Sequence, residues 1–281
     1  MEIFRTVQQM RSASREAHRH GCRVALVPTM GALHEGHLSL VRTAKAQSDF
    51  VTVSIFVNPM QFGPTEDLAR YPRPFEKDRA LLEQEGVDLL FAPTVEEMYP
   101  PGALTYVIVE GMSERLCGKS RPGHFRGVTT VVSKLLHIVE PDVAFFGQKD
   151  AAQLSIIRRM VRDLDIPVEI VGCPIIREPD GLAMSSRNAY LTPSQRQAAL
   201  VLYRTLKGIA SAFSQGERRA AQLVDAGKRI FSQEPPARLD YLEMVDPDSL
   251  EPTAEVAGPT LVAIAGYVGS TRLIDNLTLE P

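Results

Sequence analysis

The sequence is poor in cysteine. Its 281 residues hold three, Cys22, Cys117 and Cys173, far apart and in no CxxC pair. That argues against a disulfide framework and a structural zinc site, and it predicts reduced thiols in a cytoplasmic protein. No apolar run approaches the roughly 18 residues needed to span a bilayer, so no membrane segment is expected. The opening MEIFRTVQQM lacks the basic start and apolar stretch of a signal peptide. Neither sign of charge dominates: 31 Lys and Arg face 34 Asp and Glu, for a net charge of −3. A global basic field for nucleic acid is thereby excluded. No internal repeat or low-complexity tract is present. What remains is a globular composition, 44% hydrophobic and 23% charged, at a length that suits about two domains.

The first 175 residues alternate strand-like apolar runs with helical patterns. Strands are expected at 23–29, 50–57, 87–93, 105–109, 141–147 and 167–172, and helices at 37–48, 75–86, 127–140 and 151–164. Near-continuous Val- and Ile-rich runs suit strands buried on both faces. This predicts an α/β fold with a doubly wound parallel sheet and right-handed crossovers. Ligands of such sheets bind beyond the carboxyl ends of the strands. The pattern changes near residue 175. Residues 173–193 are rich in Pro, Gly, Ser and charge. Helices are expected at 194–213, with Thr192 as N-cap and Pro193 in the first turn, and at 217–231. Strands at 238–245, 260–268 and 272–279 follow, the last two joined by a hairpin turn at Val268–Thr271. The division is thus 1–175 and 176–281, the second part a smaller α+β domain with helices on a three-stranded antiparallel sheet.

The strongest local signal directly follows the first expected strand: Pro28-Thr29-Met30-Gly31-Ala32-Leu33-His34-Glu35-Gly36-His37. Its glycines permit close backbone approach, and a helix N-terminus there suits phosphate. His34 and His37, three apart, share one face of the first turn and can donate to phosphoryl oxygens as charge develops. After the second strand come Asn58 and Gln61. These are neutral amides able to bind hydroxyl or carboxylate groups, or alternatively parts of a turn fixed by Asn-Pro and Gly. After PDVAFFG lies Gly147-Gln148-Lys149-Asp150. Lys149 could place a charge on phosphates, Asp150 could cap the helix or take a ribose hydroxyl, and Gln153 shares their face. The same segment also reads as an ordinary capped helix start. Met184-Ser185-Ser186-Arg187 is either a phosphate clamp or a polar loop. The basic run from Arg115 to Arg126 could wall an anionic site or be a solvated loop.

Together, PTMGALHEGH (28–37), FVNPMQFGPTEDLARYPR (56–73), RPGHFRGV (121–128), FGQKD (146–150), DGLAMSSRNAYL (180–191) and TRLIDN (271–276) resemble the pantoate–β-alanine ligases, or pantothenate synthetases, over nearly the whole chain. The resemblance implies a Rossmann-type HxGH nucleotidyltransferase domain and a smaller C-terminal domain. It implies ATP-dependent condensation of pantoate with β-alanine through pantoyl adenylate, with release of pyrophosphate and AMP. It places ATP on Met30 to His37, Gly147 to Asp150, Ile176 and Met184 to Arg187. His34, His37, Lys149 and Arg187 would be catalytic, and Gln61, Gln153 and Asn58 would hold the acid. Mg²⁺ would ride on the triphosphate without an assigned protein ligand; Asp78 is left unassigned. A homodimer is also implied. Two departures stand out. Gln148 replaces the family's usual Glu, which predicts that Lys149 presents an unneutralised charge. Ala151 and Ala152 stand where larger or polar residues are common.

Two further readings share some of these features. A nucleotidyltransferase acting on a phosphorylated acceptor would use the same histidines but needs a cationic acceptor pocket. A non-catalytic nucleotide-binding protein has no need of both histidines, Lys149 and Arg187. The segment 63–73 is a candidate for closure over a water-sensitive intermediate.

Overall fold

The computed structural model describes residues 1–64 and 66–281; Thr65, inside the 63–73 candidate for closure, lies outside the described residues. Strands β1 (Glu2–Phe4), β2 (Val24–Thr29), β3 (Phe50–Ile55), β4 (Leu89–Phe91), β5 (Val143–Gly147) and β6 (Glu169–Cys173) form a six-stranded sheet in the order β1-β4-β3-β2-β5-β6. Every pairing in it is parallel. Helices α1 (Val7–Arg19), α2 (Glu35–Gln47), α3 (Phe75–Gln84), α4 (Val95–Met98), α5 (Cys117–Ser120), α6 (His124–Val139) and α7 (Ala151–Asp163) intervene. The rest comprises α8 (Pro193–Ala198), α9 (Val201–Ser214), α10 (Ala220–Phe231) and the antiparallel sheet β7 (Ala237–Val245), β8 (Thr260–Val268), β9 (Thr271–Leu279).

Strand alternation builds two cores from one sheet. Val24 and Leu26 face α1, α6 and α7, whereas Ala25 and Val27 face α2 and α3. The small sheet is likewise buried on both sides. Val262 and Ile264 pack beneath α9 and α10, while Leu261 and Ala263 join the core around α6 and α7. The second unit therefore rests on the first through a shared apolar wall.

Several expectations need correction. Among the described residues, 105–109 forms no strand and joins neither sheet. Thr130 Oγ1 accepts from the Val107 N–H at 3.0 Å, and Thr129 Oγ1 donates to the Val107 carbonyl at 2.6 Å, so side chains replace a ladder. Strand β1 and helix α1 fill residues that the periodicity left unread. Thr6 and Gln9 close a capping box at the start of α1, whose Met10, Ser14 and Ala17 are buried. The expected 194–213 helix is interrupted at Ala199–Leu200, although Thr192 caps it as anticipated. The hairpin turn at Gly269-Ser270 stands as read, with Gly269 at φ +59°.

Sheet order fixes where a ligand can bind. From β2 the chain crosses to β3 on one side, and β5 lies on the other, so a crevice opens between the carboxyl ends of β2 and β5. Helix α6 forms one wall and presses on the 3-10 turn Pro59–Gln61. At Gly127 an added Cβ would lie 2.4 Å from the Met60 carbonyl oxygen and 2.6 Å from the Gln61 nitrogen. Because both are backbone atoms, neither can swing aside. Gly127→Ala is expected to destabilise the protein by about 3 kcal/mol, measured by denaturant unfolding; wild-type stability would disprove that tight approach.

Candidate active site

The segment after β2 is folded by a distant acid. Asp78, on α3 and 1% exposed, accepts from the Ala32 and Leu33 N–H groups at 2.7 and 2.8 Å. Those bonds hold Gly31 and Ala32 at φ +80° and +51°, which swings the chain into α2. Asp78 is thus committed to the loop. Burial pushes its carboxyl upward, against the two N–H bonds that favour the ionised form.

His34 is the N-cap of α2, its Nδ1 accepting from the Gly36 N–H at 3.2 Å. Gly36 makes room for this: a Cβ there would lie 2.9 Å from the His34 ring. His37 Nδ1 takes a long 3.4 Å bond from the His34 N–H. The bonds assign both protons to Nε2, leaving each ring one free donor. The ring centroids are 4.1 Å apart. Burial, and secondarily Lys149, lowers His34 to about 4. Burial, then His34 and Lys149, lowers His37 to about 3. At neutral pH the pair is uncharged and donates hydrogen bonds without acting as an acid.

Met30, His34, Gly36 and His37 line a cavity of about 220 Å³. Gly147, Lys149, Asp150 and Gln153 enter it from β5 and α7. Ile176 and Met184 to Arg187 enter from the segment beyond β6, and Asn58 and Gln61 from beyond β3. Of the residues expected at ATP, Gly31, Ala32, Leu33, Glu35 and Gln148 do not line it. The first three shape the loop. Glu35 pairs with Arg42 on the exposed side of α2. Gln148 is exposed, its side chain turned toward Gly172.

Three expected contacts take different forms. Asn58, 1% exposed, donates to Gln61 Oε1 and the Gly127 carbonyl, each at 3.0 Å, and accepts from Tyr99 Oη and the Met60 N–H. All four positions of its amide are used, so Asn58 orients Gln61 in place of the expected contact with substrate. Lys149 does not stand without a carboxylate: Asp150 Oδ2 is 3.8 Å from its Nζ. Burial pushes the Asp150 carboxyl up, but Lys149 and Arg187 more than offset this and hold it below its ordinary value. Arg187 forms a two-pronged pair with Asp67, both bonds 2.9 Å, leaving its Nη1 edge for a ligand. Ser185 Oγ accepts from the Arg187 N–H, and Ser186 Oγ donates to the Ala32 carbonyl.

The amides of Gln61 and Gln153 therefore share one crevice with the N-terminus of α2, two neutral imidazoles and a lysine. The matching sequences agree with this arrangement. Residues 2–278 match the family described as pantoate-β-alanine ligase. The chain belongs to the pantoate–β-alanine ligase family. A pantothenate synthetase from Koribacter versatilis (strain Ellin345) is 59% identical over 280 residues, covering 100% of this chain and 96% of the relative. The crystal structure of pantothenate synthetase from Thermus thermophilus has a TM-score of 0.95 at 49% identity, covering 100% of both chains. A Francisella tularensis pantoate-β-alanine ligase complexed with β-γ ATP and β-alanine has a TM-score of 0.82 at 35% identity, covering 99% and 97%. This chain is accordingly a ligase that forms pantothenate, with a Rossmann-like parallel sheet and a small antiparallel-sheet domain.

Sequence reasoning gave Arg121, His124, Tyr71 and Tyr99 no assigned place in this ligase. The first three line the cavity and Tyr99 anchors Asn58. Only the basic run around RPGHF hinted at any of them.

The depressed histidines carry a pH signature. Their folded-state values lie below the ordinary 6.5, so the unfolded chain binds more protons between about pH 6.5 and 4. Their contribution to stability is fully present above 6.5 and is lost as pH falls through the folded values. Titration followed by NMR should place the His37 midpoint below 5, and His37→Gln should flatten the acid-side loss of stability. A midpoint near 6.5 would contradict the buried, neutral assignment.

Proposed function

We propose that the ligase works in two steps in this one cavity, with ATP as co-substrate. A pantoate carboxylate oxygen attacks the α-phosphorus of ATP. The bond to the β-phosphate bridging oxygen breaks, and pyrophosphate departs. The β-alanine amine then attacks the acyl carbon of pantoyl adenylate. The carbon–oxygen bond to phosphate breaks, AMP leaves, and the amine loses its proton to solvent. The observation that carries this reading is the pairing of neutral His34 and His37 with the uncharged amides of Gln61 and Gln153 in a single crevice. Such amides suit a hydroxy acid, whereas a phosphorylated acceptor would call for cations.

In this scheme the two Nε2–H groups donate to phosphoryl oxygens, and their strength grows with charge in the transition state. Lys149 adds a point charge, and Ser185 and Arg187 hold further phosphate oxygens. Ile176 and Met184 border the adenine, and Gln61 and Gln153 hold pantoate. Asp150, a carboxylate beside Lys149, fits a cation that takes one or two carboxylates together with phosphates and water. Mg²⁺ bound to the triphosphate would supply charge neutralisation there. The catalytic unit is assigned to residues 1–175, and residues 176–281 close its side. Three free thiols, Cys22, Cys117 and Cys173, suit the reducing cytoplasm. Among the described residues no helix is long and apolar enough to cross a membrane.

We also propose a homodimer. In the segment 103–109, Leu104, Tyr106 and Ile108 are 85%, 42% and 54% exposed, while the alternating Val107 and Val109 pack inward. A segment outside both sheets with an outward apolar row suits antiparallel pairing with its own copy about a two-fold axis. Ile108→Lys should shift sedimentation from dimer toward monomer; a monomeric unmodified protein, or an unaffected dimer in the variant, would remove this interface.

With pantoate but no β-alanine, labelled pyrophosphate should exchange into ATP. His37→Ala should slow that exchange about a hundredfold, some 3 kcal/mol for one lost donor. Exchange that strictly requires β-alanine would rule out the two-step scheme.

A further inference from the structure

A third, half-buried imidazole lines the same cavity. His124 opens α6, and its Nδ1 lies 2.8 Å from the Gln61 backbone oxygen. Its Nε2 lies 2.9 Å from Arg121 Nη1. A guanidinium can only donate, so Nε2 must accept and Nδ1 must carry the proton that goes to Gln61. Burial, then Arg121, lowers the ring to about 4, which agrees with a neutral imidazole in a single tautomer. Arg121 is fixed in turn. It forms a two-pronged pair with Glu66 at 2.6 and 2.7 Å, and its Nη2 donates to the same Gln61 oxygen at 3.2 Å.

The start of α6 thus grips the Pro59–Gln61 turn at three points. The His124 ring holds the Gln61 carbonyl, and the Gly127 carbonyl holds the Asn58 amide at 3.0 Å. The bare Cα of Gly127 lets the two backbones meet. The Gln61 side chain is constrained from its other end, with Oε1 accepting from Asn58 and Nε2 3.1 Å from Met30 Sδ. With one lone pair of Oε1 engaged by Asn58 and one amide proton directed at Met30, one amide proton and one Oε1 lone pair remain to offer a ligand.

We infer that His124 is a positioning residue for the acid subsite, setting the place of the Gln61 amide through its backbone carbonyl while Asn58 sets its rotation. The inference rests on the proposal that Gln61 holds pantoate. Both ring nitrogens of His124 are engaged within the protein, so its loss should weaken selection of the acid and spare nucleotide binding.

The test compares His124→Phe, His124→Asn and Gln61→Ala, together with the His124→Phe/Gln61→Ala double variant. His124→Phe keeps a ring but removes both nitrogens, and it should raise the pantoate KM about tenfold, as expected for a buried carbonyl that loses the shorter of its two donors and keeps only Arg121 Nη2 at 3.2 Å. The ATP KM should stay within about twofold. His124→Asn restores a donor near the Nδ1 position and should recover most of the loss. In the Gln61→Ala background His124→Phe should add little, because the group it positions is gone. If Gln61→Ala raises the pantoate KM and His124→Phe does not, the positioning role is overturned alone. Equal weakening of pantoate and ATP in His124→Phe, with no recovery in His124→Asn, also overturns it in favour of a merely structural ring. A Gln61→Ala variant with an unchanged pantoate KM removes Gln61 from the acid, and this inference falls with it.

Discussion

The buried carboxylate of Asp78 is the constraint from which the phosphate end of the site follows. It is separated by 46 and 45 positions from the two N–H groups that it holds. Without an acceptor there, the chain leaving β2 has no reason to take up left-handed conformations at successive residues, one of them not glycine. With it, the loop turns sharply enough for His34 to become a helix cap and for His37 to stack behind it. Each bond to an ionised acceptor contributes about 2 kcal/mol, enough to offset the strain at Ala32. The same turn brings the Ala32 carbonyl to Ser186. Thus a carboxylate outside the cavity decides which donors point into it.

The cations of the crevice are balanced in a graded way. Lys149 has Asp150 at 3.8 Å, a loose pairing that leaves its charge available. Arg187 and Arg121 are more tightly held, each by two bonds, to the neighbouring acids Asp67 and Glu66. Both acids lie in the described part of the 63–73 segment. Moving that segment away would strip both arginines of their partners at once. The charge inside the crevice is therefore tied to one stretch of chain.

Much of this architecture was readable because period-two apolar runs and helix caps are local signals. The alternation of strands and helices put His34, Gln61 and Lys149 beyond strand ends, where the sheet order then opened a crevice. What escaped were assignments made by long-range contacts. Asp78 in the first turn of a helix looks like an ordinary complement to the helix dipole. Residues 105–109 have the alternation of a strand, but the backbone bonds of Val107 go to Thr130 and Thr129 and the Val109 carbonyl goes to the Ser113 N–H, which no periodicity reveals. Asn58 presents the same amide whether it faces a substrate or its own neighbours, and only the count of its filled positions separates the two. Gln148 departs from the family pattern, yet its side chain lies outside the cavity.

The hold of β9 on the Lys149 turn bears on how the chain is made. Asn276 donates from Nδ2 to the carbonyls of Gln148 and Lys149, each at 2.9 Å. Both histidines, Gln61 and Lys149 leave the ribosome long before Asn276. A nascent chain can pair its parallel strands and cap α2 while the turn bearing Lys149 still lacks its clamp. The phosphate end is completed only when β9 joins its sheet. The ligase thus has a built-in order in which the fold precedes the finished site.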